Sequence, residues 1–443
     1  MRNYSALSRS NGYSQTMMRF LAFASCLALA VGWTNPLLAD VEQTGPVFTV
    51  NDPSDPGGAT CQVTACSLRA AITAANAGSG DIIVFDLDYP ATISLSAELP
   101  EIATQIDVAG PGKDSLTISG GGLVRIFNIH SGADVTLTGI TLSQGWNGVE
   151  GGGAIRNAGT LVMSNVTLVD NLAGGGNGGA FLNDVGAVGV IKGAAGFFNN
   201  TGFHDGAISN SGTLAISGTV FSGNRARVGG AIENYTGASA TITRSAFVDN
   251  VAQISSGGAI ANAGDLVIAN STFAQNGSPV GADIITGGTL HVTNSTFYGA
   301  ITPSMNSLAG GGAGSTVVIR NSILAALDGV DNCTSQPGGL FDVDSSNLAL
   351  DATCDSATQV TPEQLNLGPL VVYGSVPGMS PLPGSSAIDT GEDAVCSAAV
   401  GAPAYGASGL DQRGISRPVG THCDVGSIEF LKPMAYLPMI VAP

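Results

Sequence analysis

Short apolar segments alternate with Gly, Asn and Ser along most of the chain. Segments such as TLVMS, DLVIA and TLHVT lack helical spacing and predict short strands separated by turns. One apolar position recurs at intervals of 26, 29, 24, 26, 26, 24 and 27 residues. Its members are Leu142, Leu168, Phe197, Phe221, Phe247, Phe273, Phe297 and Leu324. A period of this length predicts a solenoid, and the LxxLxL spacing of leucine-rich repeats is missing.

Coils with two or three short strands each predict an all-β fold, a right-handed parallel β-helix. Strands of successive coils stack about 4.8 Å apart, so equivalent side chains lie above one another. The Leu and Phe column is therefore predicted to form an interior stack.

A second recurring position is predicted to form an asparagine ladder. Its members are Asn157, Asn183, Asn210, Asn234 and Asn262. Stacked amides bond to each other and to turn backbone, and Asn tolerates the left-handed conformation of a tight corner. Because each follows a Gly-rich word, a structural role is favoured over sugar or metal binding.

A solenoid needs both ends covered. The segment CSLRAAITAANA, residues 66–77, has Leu68, Ile72 and Ala75 on one helical face and predicts a short N-terminal capping helix. The predicted organisation is residues 1–39 as signal peptide, 40–80 as N-terminal cap, 81–330 as β-helix repeats, 331–430 as C-terminal cap and 431–443 as a short apolar tail.

The leader indicates export. Arg19 precedes the apolar run FLAFASCLALAVGW, and a small-residue site ends at Ala39, which is typical of a secretory signal. An alternative interpretation makes Cys26 a lipidated cysteine. No other segment is long enough to span a membrane, so we expect a secreted or cell-surface monomer.

The remaining six cysteines support export, because an even number outside the cytosol indicates disulfides. Adjacent pairing joins Cys61 to Cys66, Cys333 to Cys354 and Cys396 to Cys423. Six cysteines allow 15 connectivities, and metal binding is the rival interpretation. The spacing lacks CxxC pairs and a suitably placed His, so disulfides are favoured and neither metal nor cofactor is expected.

Charge excludes one class of partner. The chain has 15 Lys and Arg against 33 Asp and Glu, a net charge of −18. Removing a leader with three Arg and no acid leaves 12 minus 33, or −21. Such a surface repels a phosphate backbone, so nucleic acid is not an expected partner.

Two end segments carry resemblances to known families. CSLRAAI with DIIVFDL and AGPGKDSLTISG resembles the exported bacterial family named after the string CSLREA, although Ala70 stands where that string has Glu. SPLPGSSAIDTG, DQRGISRP and CDVGSIEF resemble the choice-of-anchor Q family. The GGAI and FxxN words are also similar to those of polymorphic outer-membrane proteins, which are β-helical adhesins. These resemblances imply a pectin-lyase-like β-helix, a fold that hosts enzymes and non-enzymes.

Candidate catalytic groups are sparse. A lyase needs a calcium site and a basic residue, and a hydrolase needs paired carboxylates. The strings NTD, DD, GHG and RIK are missing, and the mature chain has three Lys, namely Lys113, Lys192 and Lys432. The acids Asp170, Asp184, Asp205 and Asp249 are interpreted as solvated turn residues, and His130, His204, His291 and His422 as surface or corner residues. No catalytic residue is predicted.

The choice-of-anchor Q strings contain three charged residues, Asp389, Arg413 and Asp424. They could hold a ligand or metal, but an ion pair closing the C-terminal cap is favoured.

The favoured hypothesis is an exported, adhesin-like or glycan-binding protein without catalysis, whose partners are glycans or cell-surface material. The alternative is a carbohydrate-active enzyme, a polysaccharide lyase or glycoside hydrolase, on the same fold.

Overall fold

The structure is a computed structural model that describes residues 45–432 except 59, 301–305, 311 and 328. The predicted signal peptide, residues 1–39, and residues 433–443 of the predicted tail lie outside the described residues. Among the described residues, no helix is long and apolar enough to cross a membrane.

Three long parallel sheets and one short one run along the solenoid. Sheet A consists of Val47–Val50, Asp81–Phe85, Ile106–Ala109, Asp134–Thr138, Thr160–Ser164, Val188–Lys192, Thr213–Ser217, Ser239–Thr243, Asp265–Ala269, Thr289–Thr293, Thr316–Arg320 and Leu340–Val343. Sheet B consists of Phe127–Ile129, Ile155–Asn157, Phe181–Asn183, Ile208–Asn210, Ile232–Asn234, Ile260–Asn262, Ile284–Thr286, Asn306–Gly310 and Asp331–Ser335.

Sheet C consists of Ala91–Ser94, Leu116–Ser119, Thr141–Ser143, Thr167–Val169, Gly196–Phe198, Val220–Ser222, Ala246–Val248, Thr272–Ala274, Thr296–Tyr298, Ile323–Ala325, Leu348–Ala349 and Thr358–Gln359. Sheet D consists of Trp146–Asn147, Leu172–Ala173, Thr201–Gly202, Arg225–Ala226 and Val251–Ala252. Each central coil passes through sheets B, A, C and D in that order, which confirms the predicted right-handed parallel β-helix.

The interior stack lies where the sequence period predicts it. Each member of the Leu and Phe column pairs in register with the next along sheet C. All are buried, and the five Phe rings stack with centroids 4.7 to 4.9 Å apart. Repetition at this position therefore gives each ring a matching neighbour above and below.

The predicted asparagine ladder forms, with one correction. Each side-chain amide donates to the next Asn in the ladder at 2.7 to 2.8 Å, and Asn262 ends the row on Thr286. None of these five Asn has a positive φ, so the left-handed corner conformation expected of them is wrong. Positive φ occurs instead at Asp170, Asn199 and Asp249, where sheet C turns into sheet D.

A second asparagine ladder follows those left-handed residues. It consists of Asn171, Asn200, Asn224, Asn250 and Asn276, all buried, with amide-to-carbonyl distances of 2.9 to 3.0 Å. Its sequence signal is the Asn that follows the interior Leu or Phe by three residues. The two ladders therefore connect successive coils at the turn between sheets B and A and at the turn between sheets C and D.

The N-terminal end carries helix α1, Leu68–Ala75, which the sequence predicts. Ser67 accepts a hydrogen bond from the Ala70 amide and caps it. Leu68, Ile72 and Ala75 are buried and join the main core beside the first two strands of sheet A. Because one of those strands is Val47–Val50, the solenoid begins before residue 81, the predicted start of the repeats.

The C-terminal region extends the solenoid and then lies along its side. Strands up to Thr358–Gln359 continue the sheets, so the coils pass the predicted boundary at residue 330. We call residues 361–432 the lateral segment. It contains helices α2, Pro362–Leu365, and α3, Asp393–Ser397, and a hairpin of Val371–Tyr373 and Val376–Gly378. Its backbone carbonyls accept bonds from side chains at the end of sheet A and in the turn to sheet C, as at Thr293 to Tyr405 and Asn270 to Ala407.

Candidate functional site

Sheet D presents one outward side chain per coil, in register. We call this set the sheet D row: Trp146, Leu172, Thr201, Arg225 and Val251. The intervening Ala and Gly positions point inward, because successive residues of a strand face opposite sides. Trp146 and Leu172 are 38% and 40% exposed, which is unusual for such large apolar side chains. The row is therefore a surface on which a binding partner could be contacted.

Glycines position the Trp146 indole. A Cβ at Gly148 would lie 2.9 Å from the indole Cη2 atom, and a Cβ at Gly174 would lie 3.6 Å from its Nε1 atom. Any side chain at Gly148 would therefore displace the ring. The Gly-rich turns that the repeat requires also let the indole lie close to the backbone of two coils.

Phe203 extends the row on the next loop. Its ring is 39% exposed, and the Arg227 guanidinium lies over it, 4.6 Å from the ring centroid. His204 contacts the same ring edge-on. A shallow concavity of about 290 Å³ lies between the row and this loop. It is lined by Leu172, Ala173, Gly174, Thr201, Gly202, Phe203, Arg225, Ala226, Arg227 and Gln253.

Beside that loop, Asp205 and the half-buried Glu233 of sheet B form an acidic pair. Asp205 has no exposed surface, and its carboxyl group contacts that of Glu233. The Tyr235 hydroxyl donates to Asp205 at 3.3 Å and accepts from the Asn177 amide at 3.0 Å. Burial raises the pKa of Asp205 well above its usual value, and the neighbouring carboxyl of Glu233 raises it further.

The other predicted acids separate into two groups. Asp170 and Asp249 are exposed turn residues with φ of 55° and 58°, as predicted. Asp184 is half-buried and forms an ion pair with Arg156 at 2.8 Å. Asp205 is not a solvated turn residue, and that prediction is wrong, because stacked loops and Tyr235 cover it.

The histidines do not converge. His130, His204 and His422 are exposed, and His422 bonds to Asp393 at 2.8 Å. His291 differs from the prediction, because it lies mid-strand in sheet A with its ring stacked on Tyr405 of the lateral segment. Burial lowers the pKa of His291, so its imidazole favours the neutral form.

The predicted cap ion pair does not form. Arg413 pairs with Asp411 at 2.6 Å, and neither Asp389 nor Asp424 reaches it. Asp424 instead accepts the Asp389 backbone amide. Asp389 in turn accepts the backbone amides of Thr421 and His422. Both aspartates therefore organise loops through backbone groups.

The lateral segment contains a buried ion pair that the sequence analysis did not predict. Arg417 and Glu429 meet at 2.6 Å, and neither side chain is exposed. Arg417 also donates to the carbonyls of Leu410, Asp424 and Gly426. Both residues stand in the quoted strings DQRGISRP and CDVGSIEF, but nothing in a non-repeating string distinguishes Arg417 from Arg413.

The six cysteines form three disulfides with the predicted pairing, namely Cys61 with Cys66, Cys333 with Cys354 and Cys396 with Cys423. In the part of the chain that the structure describes, no three His, Cys, Asp or Glu side chains form a group that could hold a metal. The disulfides join neighbouring segments within each end.

The fold defines a class, the parallel β-helix proteins of pectin-lyase type. The solved structure of the pectate lyase Pel9A is similar, with a TM-score of 0.51 and 14% sequence identity, over 87% of this chain and 96% of that one. At this identity the likeness shows the fold alone. No protein-family model and no curated protein sequence matches the chain.

The sequence analysis did not identify the residues of the exposed surface: Trp146, Leu172, Phe203, Arg225 and Arg227. They stand between the repeated words and share no column of like residues. It also did not identify Glu233 and Tyr235, which are half-buried and stand in the repeated word GGAIENY. The available signal was the position of Trp146, a large aromatic residue in a Gly-rich turn.

Proposed function

We propose that this protein is an exported, adhesin-like β-helix that binds glycans on the surface formed by the sheet D row, Phe203 and Arg227. The observation that carries the proposal is that exposed Leu172 and Phe203 line one concavity, and that exposed Trp146 lies beside Leu172 in the same row. Aromatic faces stack on the apolar faces of sugar rings, and nearby polar groups fix their orientation.

The regular geometry of the row suits a polymer. Its side chains repeat with the strand spacing of about 4.8 Å. Arg225 and Arg227 add donors that hydrogen-bond hydroxyl or carboxylate oxygens. An extended saccharide lying along the solenoid axis would contact several coils at once, which compensates for the shallowness of the concavity.

The proposal includes export of the protein. The resemblances to the CSLREA-type and choice-of-anchor Q families support it. Three disulfides are typical of an oxidising compartment. The similarity to polymorphic outer-membrane repeats supports a role at a cell surface.

The second candidate, a glycoside hydrolase, has one favourable observation, the contact between Asp205 and Glu233. Hydrolytic carboxyl groups are separated by about 5 to 9.5 Å so that a sugar fits between them. Here the two carboxyl groups touch, and Asp205 is fully buried, so neither geometry nor access suits this reaction. We therefore expect no release of reducing or unsaturated ends from pectate, alginate or neutral polysaccharides.

A glycan array probed with residues 40–443 tests the binding proposal. We expect a restricted set of bound glycans, and Trp146→Ala with Phe203→Ala should weaken binding at least about tenfold, which corresponds to about 1.4 kcal/mol. Val372→Ala, on the exposed hairpin of the lateral segment, is the matched control and should bind normally. Cleavage of a bound glycan that Asp205→Ala abolishes would favour the enzyme instead.

A further inference from the structure

Two arginines at the concavity beside the sheet D row differ from the other arginines among the described residues. Arg244 donates to the Gln412 carbonyl oxygen, and six arginines form ion pairs with carboxylates: Arg69, Arg125, Arg156, Arg320, Arg413 and Arg417. The side chains of Arg225 and Arg227 form neither an ion pair nor a hydrogen bond with any described residue. The chain has 33 acidic residues against 15 basic ones, so two arginines without a carboxylate partner stand out.

The concavity combines positive charge with an absence of acidic groups. Its lining includes Arg225 and Arg227, and none of the described residues that line it is Asp or Glu. Thr201 and Gln253 supply further polar side chains there. Because the chain as a whole has a net charge of −18, a carboxylate or sulfate group would be attracted to this concavity and repelled by most of the remaining surface.

The ring of Phe203 holds the Arg227 guanidinium in place. The guanidinium carbon lies over the ring, 4.6 Å from the ring centroid. The N–H donors of a guanidinium lie in its own plane, so this contact leaves them free for a ligand. Arg225 stands two residues earlier at an exposed strand position, and the two side chains therefore leave the backbone about 6 to 7 Å apart on the same face. The fork of donors on each guanidinium matches the paired oxygens of a carboxylate or sulfate.

We propose that the glycan bound on this surface is anionic, and that Arg225 and Arg227 bind its carboxylate or sulfate group. The inference rests on the proposed function and adds the chemical class of the glycan. Trp146 and Leu172 contact the apolar faces of sugar rings, while Arg225 lies three strands from Trp146 along sheet D, or about 14 Å. The ligand is therefore an oligosaccharide that carries an anionic group about that far from the sugar on Trp146.

A glycan array that carries each backbone in matched neutral and charged forms tests the inference on residues 40–443. Cello-, malto- and galacto-oligosaccharides are displayed as the neutral sugar, as the C6-oxidised carboxylate and as the C6 sulfate. We expect a charged form to bind at least about tenfold more tightly than the neutral form of the same backbone, because hydrogen bonds to charged groups are the stronger ones. Tighter binding of the carboxylate form or of the sulfate form identifies which group the arginines bind.

Substitution of the arginines separates charge recognition from sugar binding. Arg225→Gln and Arg227→Gln should each weaken binding of the charged form at least about tenfold and leave binding of the neutral form within about twofold of the wild type. Both variants should unfold at nearly the wild-type Tm, because neither side chain is bonded to another described residue. Lys192→Gln is the matched control, since it removes an exposed positive charge on sheet A, and it should bind every form like the wild type.

The outcomes distinguish this inference from the function on which it rests. Equal binding of neutral and charged forms, or binding of the charged form that neither arginine variant weakens, would overturn the inference and leave the proposed glycan surface standing. No binding of any form would overturn the proposed function and the inference together.

Discussion

The coils and the lateral segment are stabilised in different ways. In the coils, buried Phe rings and Asn amides repeat from one coil to the next, and each contact resembles its neighbour. In residues 361–432 the contacts occur once: a fully buried pair of Arg417 and Glu429, and a disulfide between Cys396 and Cys423. Repeated contacts leave a period in the sequence, whereas single contacts leave none.

Solvent exposure also differs along the coils, because the lateral segment covers some strands and not others. Sheet C strands of the early coils alternate buried and partly exposed residues, while Ala246–Val248 and Thr272–Ala274 are buried on both faces. The lateral segment covers the outer face of those later strands. The side chains of the sheet D row stay largely exposed, and the proposed binding residues lie there.

The largest expected effect is in the coils. Phe247→Ala removes a ring that stacks on Phe221 and Phe273 at 4.7 Å on each side. We expect a loss of about 3 to 5 kcal/mol in the free energy of unfolding, and a similar loss for Phe273→Ala. Denaturant unfolding measures it. A loss under about 1 kcal/mol would mean that the coils are aligned incorrectly.

A comparable loss is expected in the lateral segment from a single charge. Arg417→Gln leaves Glu429 buried without its partner and should cost at least about 3 kcal/mol. Arg156→Gln is the control, because its pair with Asp184 is partly exposed and should contribute under about 1 kcal/mol. Equal losses from the two changes would contradict the larger contribution expected of the buried ion pair.

The stability of the coils should also depend on pH, through one buried carboxyl group. Asp283 is fully buried at the end of the second asparagine ladder, where it accepts bonds from Asn276 and Ser307. Burial raises the pKa of Asp283 to about 6. The unfolded state loses its proton first, so stability from this group is present below about pH 4 and is lost as pH rises to about 6.

The loss should amount to about 3 kcal/mol for a shift of about 2 pKa units. Asp283→Asn lacks this titration, so the stability difference between wild type and variant should change by that amount between pH 4 and pH 7. Burial also raises the pKa of Asp424 to about 6, but that group is present in both proteins and cancels. A pH-independent difference would show that Asp283 titrates normally.

The smallest effect is expected at a turn. Asp249 is exposed and has a φ of 58°. Asp249→Ala should cost under about 1 kcal/mol, and Asp249→Gly less, because Gly adopts positive φ without a Cβ clash. Urea unfolding of the pair checks both values, and a larger loss for Gly would contradict the assigned turn.

The features that could be predicted from the sequence are those that repeat from coil to coil. The fold, the interior stack and the amide ladder follow from the period, because a stacked coil needs like residues at like positions. The second ladder could also have been predicted, since its Asn stands three residues after Leu168, Phe197, Phe221, Phe247 and Phe273. Arg417 could not be distinguished from Arg413, because burial of one guanidinium depends on how a non-repeating segment lies against the coils.

The proposed binding surface could not be predicted from the sequence for a related reason. Trp146, Leu172, Thr201 and Arg225 occupy equivalent positions in successive coils but differ in chemistry, so no column of like residues marks them. Their exposure depends on sheet D being short and uncovered. Binding surfaces on such a fold occur where the repeat varies.

One titration tests the binding proposal most directly. The sequence has two tryptophans, and Trp33 lies in the predicted signal peptide, so the protein from Asp40 onwards contains Trp146 alone. Its fluorescence should change saturably when the strongest glycan from the array is added. Phe203→Ala should shift the midpoint at least about tenfold, a change of about 1.4 kcal/mol. Glycan binding that leaves Trp146 emission unchanged and is unaffected by Phe203→Ala would contradict the assignment of this surface.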